Sequence, residues 1–157
     1  MSSRKSLPEI DPRYACFALR VGRSGIHRLG VYAAQNIPAN RKVIEYTGEK
    51  INRKETKIRA GRRLNYIFTL DNYWAIDGGV GGSGAEFINH CCEPNLTTQI
   101  RYGHILYYSN RRIRKGEELS VDYHFAFEVQ TVPCKCGAKN CRGTINHLKP
   151  KILQGHT

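Results

Sequence analysis

The stretch Asn89-His90-Cys91-Cys92-Glu93-Pro94-Asn95 sets two cysteines and two asparagines around a proline, and a second cysteine cluster answers it near the C-terminus. Cys134, Cys136 and Cys141 follow as C-x-C-x4-C beside Gly137, in a chain with six cysteines. Three thiols so spaced fall one short of a tetrahedral zinc site, and Cys92 is the natural fourth ligand. With sulfur in all four positions the ion would be structural, a clip holding the C-terminal tail onto the central loop. A disulfide framework fits less well, because the neighbours Cys91 and Cys92 could hardly both bridge. Cys16 and Cys91 are expected to be buried small apolar residues.

Composition bounds the rest. A chain of 157 residues sits near the commonest size for one domain and can bury a real core. The start of the chain is polar, and the longest early apolar run, Ala15 to Leu19, is too short for a signal peptide or a membrane span. An intracellular, reducing setting without membrane association is therefore expected: cytoplasm for a bacterial source, nucleus otherwise, with delivery into a host cell as a third option. The net charge is +12, from 25 Lys+Arg against 13 Asp+Glu. Such basicity serves solubility, and it also favours weak association with nucleic acid. No helix-turn-helix or aromatic RNA-binding signature accompanies it. Oligomeric state is not legible.

Short strand patterns separated by turn residues dominate from Tyr14 onward. They predict strands over Tyr14–Val21, Gly30–Ala34, Val43–Tyr46, Tyr66–Leu70, Tyr73–Asp77, Leu96–Tyr102, Ile105–Ser109 and Leu119–Asp122. Asp71-Asn72 reads as a two-residue hairpin loop, and Gly103 turns the following pair. Asn52 followed by Glu55 has capping-box spacing for a helix ending near Gly61, and a shorter helical piece is expected over Gly84 to Ile88. The five glycines from Gly78 to Gly84 fit either a close backbone approach or a mobile loop. Trp74 is expected to pack in a sheet. The fold class is mostly β, with few short helices.

Three motifs then occur in order: N-H-x-C-x-P-N at Asn89–Asn95, E-L-x-x-D-Y at Glu118–Tyr123, and C-x-C-x4-C at Cys134–Cys141. With Ser24-Gly25-Ile26-His27, Gly30-Val31-Tyr32, Ile44-Glu45-Tyr46-Thr47-Gly48 and Tyr66-Ile67-Phe68, the chain resembles SET-domain protein-lysine N-methyltransferases carrying a post-SET zinc tail. The compact form is similar to small stand-alone bacterial members, and trithorax-type domains share the motifs. The resemblance implies small sheets around a knot-like core. It implies a leader over 1–13, a SET domain over 14–127, a post-SET tail over 128–148 and a loose C-terminus over 149–157.

The resemblance also implies roles. S-adenosylmethionine would contact Ile26, His27, Arg28, Leu29 and Gly30, together with Tyr66, Asn89 and His90, with Lys135 closing over it. Tyr46 and Tyr123 would line a narrow channel for the substrate lysine, with Tyr123 beside the transferring methyl. Cys92, Cys134, Cys136 and Cys141 would hold zinc. The partner would be a lysine-bearing protein, such as a histone or another DNA-associated protein.

Those residue types suit the chemistry. A lysine amine must be neutral to attack a methyl on a sulfonium, yet free lysine is almost fully protonated at neutral pH. An aromatic channel disfavours the ammonium by desolvation, and the sulfonium charge pushes the same way. Alignment can then supply roughly 7–11 kcal/mol of the acceleration.

Five positions depart from the family pattern. Arg28 stands in place of glycine, Glu86 in place of arginine, and Ser109 with Asn110 in place of alanine and an apolar neighbour. Val121 replaces the Phe or Tyr that limits how many methyls fit, so it is read as the methylation-state control residue and as permitting more than one transfer. The alternatives are a catalytically silent SET-like module that binds a lysine tail, and a zinc-stabilised nucleic-acid binder.

Overall fold

The computed structural model describes residues 5–124 and 130–147. The expected 127/128 boundary, the loose C-terminus over 149–157 and the first four residues of the leader lie outside the described residues. Within them the chain forms ten short strands, one α-helix and one 3-10 turn. The strands are β1 (Leu19–Arg23), β2 (Leu29–Ala33), β3 (Lys42–Tyr46), β4 (Glu49–Asn52), β5 (Ile67–Thr69), β6 (Trp74–Asp77), β7 (Asn89–His90), β8 (Leu96–Arg101), β9 (His104–Ser109) and β10 (Ser120–Val121). The helix α1 spans Arg53–Ala60, and the 3-10 turn spans Ala85–Phe87. No helix among the described residues is long and apolar enough to cross a membrane.

The strands make four small sheets, ordered β1-β2, β10-β7, β3-β9-β8 and β4-β6-β5. All pairings are antiparallel except β10 with β7. Val31, Val43, Ile44, Ile37, Ile88, Leu96, Ile105, Ile113, Leu119 and Val121 fill one core between the sheets. Leu96, Ile105 and Tyr107 alternate with exposed or half-exposed neighbours along β8 and β9, as expected of strands covered on one face.

Most expected strands are present, with different bounds. Tyr14–Val21 is interrupted: Ala15 bridges Ile44, and a regular strand resumes only at Leu19. β4 escaped the pattern because Ile51 is its one buried residue. The expected two-residue turn at Asp71-Asn72 is longer, since the register pairs Thr69 with Ala75. Its cause is the Asp71 carboxylate, which accepts the N–H groups of Tyr73 and Trp74 at 2.7 and 2.8 Å. At the other hairpin Arg101 pairs with His104, so Tyr102 and Gly103 alone form the turn, at φ 50° and 79°. Trp74 lies 41% exposed under the Lys50 ammonium, 4.6 Å from its ring centre, so its sheet packing is on the solvent face. Cys16 is exposed, against expectation, because its segment lies at the margin of the sheet.

The helix begins as the sequence requires: Asn52 accepts the Glu55 N–H at 2.9 Å. The Glu55 carboxylate turns to Arg59 instead of back to the cap. No helix residue is buried. α1 is held by charge, with Arg59 reaching Glu49, Glu55 and the buried Asp77 at 2.7, 2.6 and 2.9 Å. Within the expected leader, Ile10 packs against the core and the Asp11 N–H donates to the Ser83 carbonyl at 2.9 Å.

Candidate active site and metal centre

The two halves of the site meet where β7 and β10 run parallel, with Asn89 opposite Ser120 and His90 opposite Val121. Asn95 hooks the two segments together. Its Nδ2 donates to the Glu118 carbonyl at 2.9 Å, and its Oδ1 accepts the Ser120 N–H at 2.9 Å. Asn95 is 2% exposed, so a shorter or apolar residue there would orphan two backbone groups. Glu118–Tyr123 is thereby threaded beside Asn89–Asn95, the arrangement the sequence resemblance implied.

Asn89 docks the turn between β1 and β2. Its Nδ2 lies 2.8 Å from the Leu29 carbonyl, 3.2 Å from that of His27, and 3.1 Å from both Ser24 Oγ and Glu118 Oε1. Ser24 Oγ donates to Glu118 at 2.6 Å and accepts the Ile26 N–H at 3.0 Å. A Cβ at position 30 would meet Glu118 Oε1 at 2.3 Å, which explains Gly30. Arg28 adopts φ 44°, the left-handed conformation that glycine would take there, so the side chain is carried at a conformational cost. Ile26 and Leu29 are half-buried, and His27 and Arg28 are exposed at the tip. These residues therefore form one backbone-lined turn docked against Asn89.

His90 is buried and committed to the protein. The Tyr123 N–H donates to its Nδ1 at 3.1 Å, which leaves the proton on Nε2, 3.4 Å from Cys92 Sγ. Burial holds its pKa below the usual histidine value. Any contact it makes with a ligand must come from its backbone or ring face.

Aromatic rings surround the end of β10. Tyr46 packs against Phe68 at 5.4 Å and Tyr107 at 6.3 Å, and Tyr66 against Phe87 at 5.7 Å. Tyr46 hydrogen-bonds the Tyr66 carbonyl. A Cβ on Gly78 would lie 2.7 Å from that phenol oxygen, so the glycine run serves close approach. Tyr123 is 36% exposed, and its hydroxyl donates to the Ile88 carbonyl at 2.7 Å. Burial pushes the phenols of Tyr46, Tyr107 and Tyr123 well above the ordinary tyrosine value, so all three stay protonated at neutral pH. None can act as a general base there.

Val121 is 2% exposed within the core beside this cluster. Two neighbours had no sequence signal. Tyr107 was one tyrosine among nine. Thr98 lies opposite Tyr107 in the β8–β9 register, so both side chains face the Tyr46 side of the sheet, and its buried Oγ1 lacks a hydrogen-bond partner among the described residues. The other departures have local causes. Ser109 Oγ donates to the Pro38 carbonyl at 2.6 Å and accepts the Arg41 N–H at 3.0 Å. Asn110 Nδ2 donates to the Pro94 carbonyl at 3.1 Å. Glu86 accepts the Gly84 N–H at 2.8 Å, and burial raises its carboxyl pKa.

The sulfurs of Cys92, Cys134, Cys136 and Cys141 all lie within 4.8 Å of one another, with Cys92 at 3.8 Å from Cys134 and 3.9 Å from Cys141. Four thiolates at the zinc–sulfur bond length occupy tetrahedron corners about 3.8 Å apart, so the donor set fits one zinc ion. The Arg142 N–H points at Cys92 Sγ and the Gly143 N–H at Cys141 Sγ, at 3.4 and 3.3 Å. Cys91 stands aside, buried, with burial pushing its thiol up to about 11. Arg142 also grips Asp122, with Nη1 at 2.8 Å from Oδ2 and Nη2 at 3.2 Å from Oδ1, tying the tail to the residue before Tyr123. Lys135 is exposed between Cys134 and Cys136.

A SET-domain family model matches residues 28–124, more than half of the chain. The chain belongs to the SET-domain family. Among relatives of this SET domain, "Histone-lysine N-methyltransferase trithorax" of Drosophila melanogaster is 42% identical over 135 residues, covering 80% of this chain and 4% of that protein. "Histone-lysine N-methyltransferase, H3 lysine-4 specific" of Schizosaccharomyces pombe is 41% identical over 138 residues, covering 82% of this chain and 15% of that protein. This SET domain thus spans only a small part of those relatives. Among solved structures, the crystal structure of KRYPTONITE in complex with mCHG DNA and SAH superposes with a TM-score of 0.71 at 33% identity, over 83% of this chain and 29% of that one.

Proposed function

We propose that this SET domain is a protein-lysine N-methyltransferase that uses S-adenosylmethionine, with a histone or another DNA-associated protein as substrate. The observation that carries the reading is the convergence of the Asn89-docked turn with the protonated, partly exposed Tyr123 at one end of an aromatic cluster. Homology to proteins named as histone-lysine methyltransferases, and a structural neighbour solved with SAH, support the same reaction.

In this reading the Ile26–Gly30 turn, Asn89, His90 and Tyr66 hold the cofactor, and Lys135 closes the tail over it. When bound, S-adenosylmethionine supplies a methyl group on a sulfonium to the lysine amine. Tyr46 and Tyr123 exclude water from the lysine side chain and disfavour its charged form, so its proton is lost to solvent before attack. The four cysteines hold zinc as a structural clip on a tail spanning 128–148, which completes the pocket without taking part in the chemistry.

The test is calorimetric binding of S-adenosylmethionine followed by transfer of a labelled methyl group to histones and DNA-associated proteins. Binding together with transfer that Tyr123→Phe abolishes supports the reading. Cofactor binding without transfer to any protein would leave the silent lysine-binding module.

A further inference from the structure

A second cluster of potential metal-binding side chains sits where the tail crosses the chain just past β10. His124 follows Tyr123 at φ 53°, in the left-handed region. Its N–H donates to Asp122 Oδ1 at 3.0 Å, so the chain curls back around that carboxylate. His147 arrives from the tail, and its Nε2 stands 2.7 Å from His124 Nδ1. The ring centres are 4.9 Å apart and the planes differ by 17°. With so short a nitrogen contact, that separation means the rings meet edge to edge, with the two nitrogens facing each other head-on. The ligand atoms of Asp122, His124 and His147 all lie within 4.8 Å of one another.

We propose that Asp122, His124 and His147 form a second divalent-metal site, independent of the four cysteines, that takes zinc or a cation of similar borderline character. Two imidazole nitrogens and one carboxylate oxygen are a donor set that zinc accepts with a coordination position left for water. Nitrogen and oxygen ligands on one tetrahedral zinc ion stand about 3.3 Å apart, so the two imidazoles must turn from their head-on contact and separate while the carboxylate closes in. Both histidines are exposed, so their rings can make that adjustment. In the metal-free pair one facing nitrogen carries a proton. On binding, that proton moves to the other nitrogen of its ring, which leaves two lone pairs for the ion.

The charges facing the site set its strength. Arg142 holds both Asp122 oxygens, and His90 Nδ1 lies 3.6 Å from Oδ1. Arg142 orients the carboxylate as an outer-shell hydrogen bond does, while its charge weakens cation binding. The site is therefore weaker than the sulfur site, and its occupancy follows the free metal concentration. When filled, the ion joins the residue after Tyr123 directly to the tail.

Metal content of the full chain, equilibrated with a small excess of free zinc at neutral pH, tests this. The expected result is a second equivalent of zinc that is lost in His124→Ala and in His147→Ala. Cobalt substitution reports on folding, because the thiolate charge-transfer bands of the sulfur site must persist in both variants. Copper(II) added to zinc-loaded protein should show nitrogen hyperfine coupling that both variants abolish. A single equivalent in the unaltered chain, meaning that the two imidazoles only share a proton, overturns the proposal. So does a second equivalent that survives in His124→Ala/His147→Ala.

Discussion

The Tyr123 hydroxyl donates to the Ile88 carbonyl at 2.7 Å, fixing the phenol, two residues past β10, to the residue that precedes Asn89. Removing that oxygen leaves the ring, which also packs edge-on to His90 at 5.4 Å. Tyr123→Phe should therefore lower methyl transfer by about two to three orders of magnitude, the loss typical when one oriented polar group leaves a preorganised site. Cofactor affinity should change little. Single-turnover rates beside calorimetry check both; an equal loss in rate and affinity would assign Tyr123 to cofactor binding instead.

Alkaline pH should destabilise the fold through its buried phenols. Burial raises Tyr46 and Tyr107 above the unfolded value near 10, so the unfolded chain releases these protons first. With fewer protons on the unfolded state, the contribution of these two phenols is constant below about pH 10 and falls as pH rises beyond it. Urea melts across that range, with tyrosinate absorbance as the second probe, should show ionisation coinciding with unfolding.

Val121 places no hydroxyl beside the aromatic cluster, whereas Thr98 holds a buried one across from Tyr107. The expected product includes di- or trimethyl-lysine, and Val121→Tyr should shift it toward monomethyl-lysine. Mass spectrometry of a mapped peptide under excess enzyme decides it.

Chelation of the sulfur-bound zinc should release the tail, since Cys92 is the one ligand contributed by the central loop. Hydrogen exchange should then accelerate after Val132, while the core amides of Ile44 and Ile105 stay protected. Affinity for S-adenosylmethionine should fall in parallel. Unchanged affinity would show that the tail does not complete the pocket.

Tyr102 is fully exposed and carries φ 50° in a two-residue turn before Gly103. Tyr102→Asn should stabilise the chain by about 0.5–1 kcal/mol, because asparagine tolerates that conformation and Asn-Gly suits the turn. Urea denaturation reads the difference.

The motifs made Asn89, Tyr123 and the four cysteines legible because each chemistry needs a particular side chain at a fixed spacing. The sulfur cluster gathers as that spacing required. The missing parts were those that depend on register or on distant partners. β4 has one buried residue and no alternation, so only its pairing with β6 makes it a strand. Thr98 and Tyr107 enter the site through the β8–β9 register, and Arg142 through a grip on Asp122 twenty positions away. The place of His90 was legible, but the commitment of its ring to Tyr123 and Cys92 was not. The Asp71 turn shows the same limit on a small scale, where one side-chain carboxylate lengthened a loop that composition had made short.

The parallel pairing of β7 with β10 also bears on when the site is assembled. Those two-residue strands lie far apart in sequence, and every other pairing in the fold is antiparallel. β3 and β9 pair across a wider gap still, so the β7–β10 contact is set apart by its place in the chain: Ser120–Val121 is the last strand of the described fold to be made. A nascent chain halted before Glu118 already carries every strand of the β3-β9-β8 and β4-β6-β5 sheets, yet it has no partner for Asn95 and no Glu118 against the β1–β2 turn. The Asn95 clasp therefore closes only with the final strand, and until then the sheets have no assembled site to position.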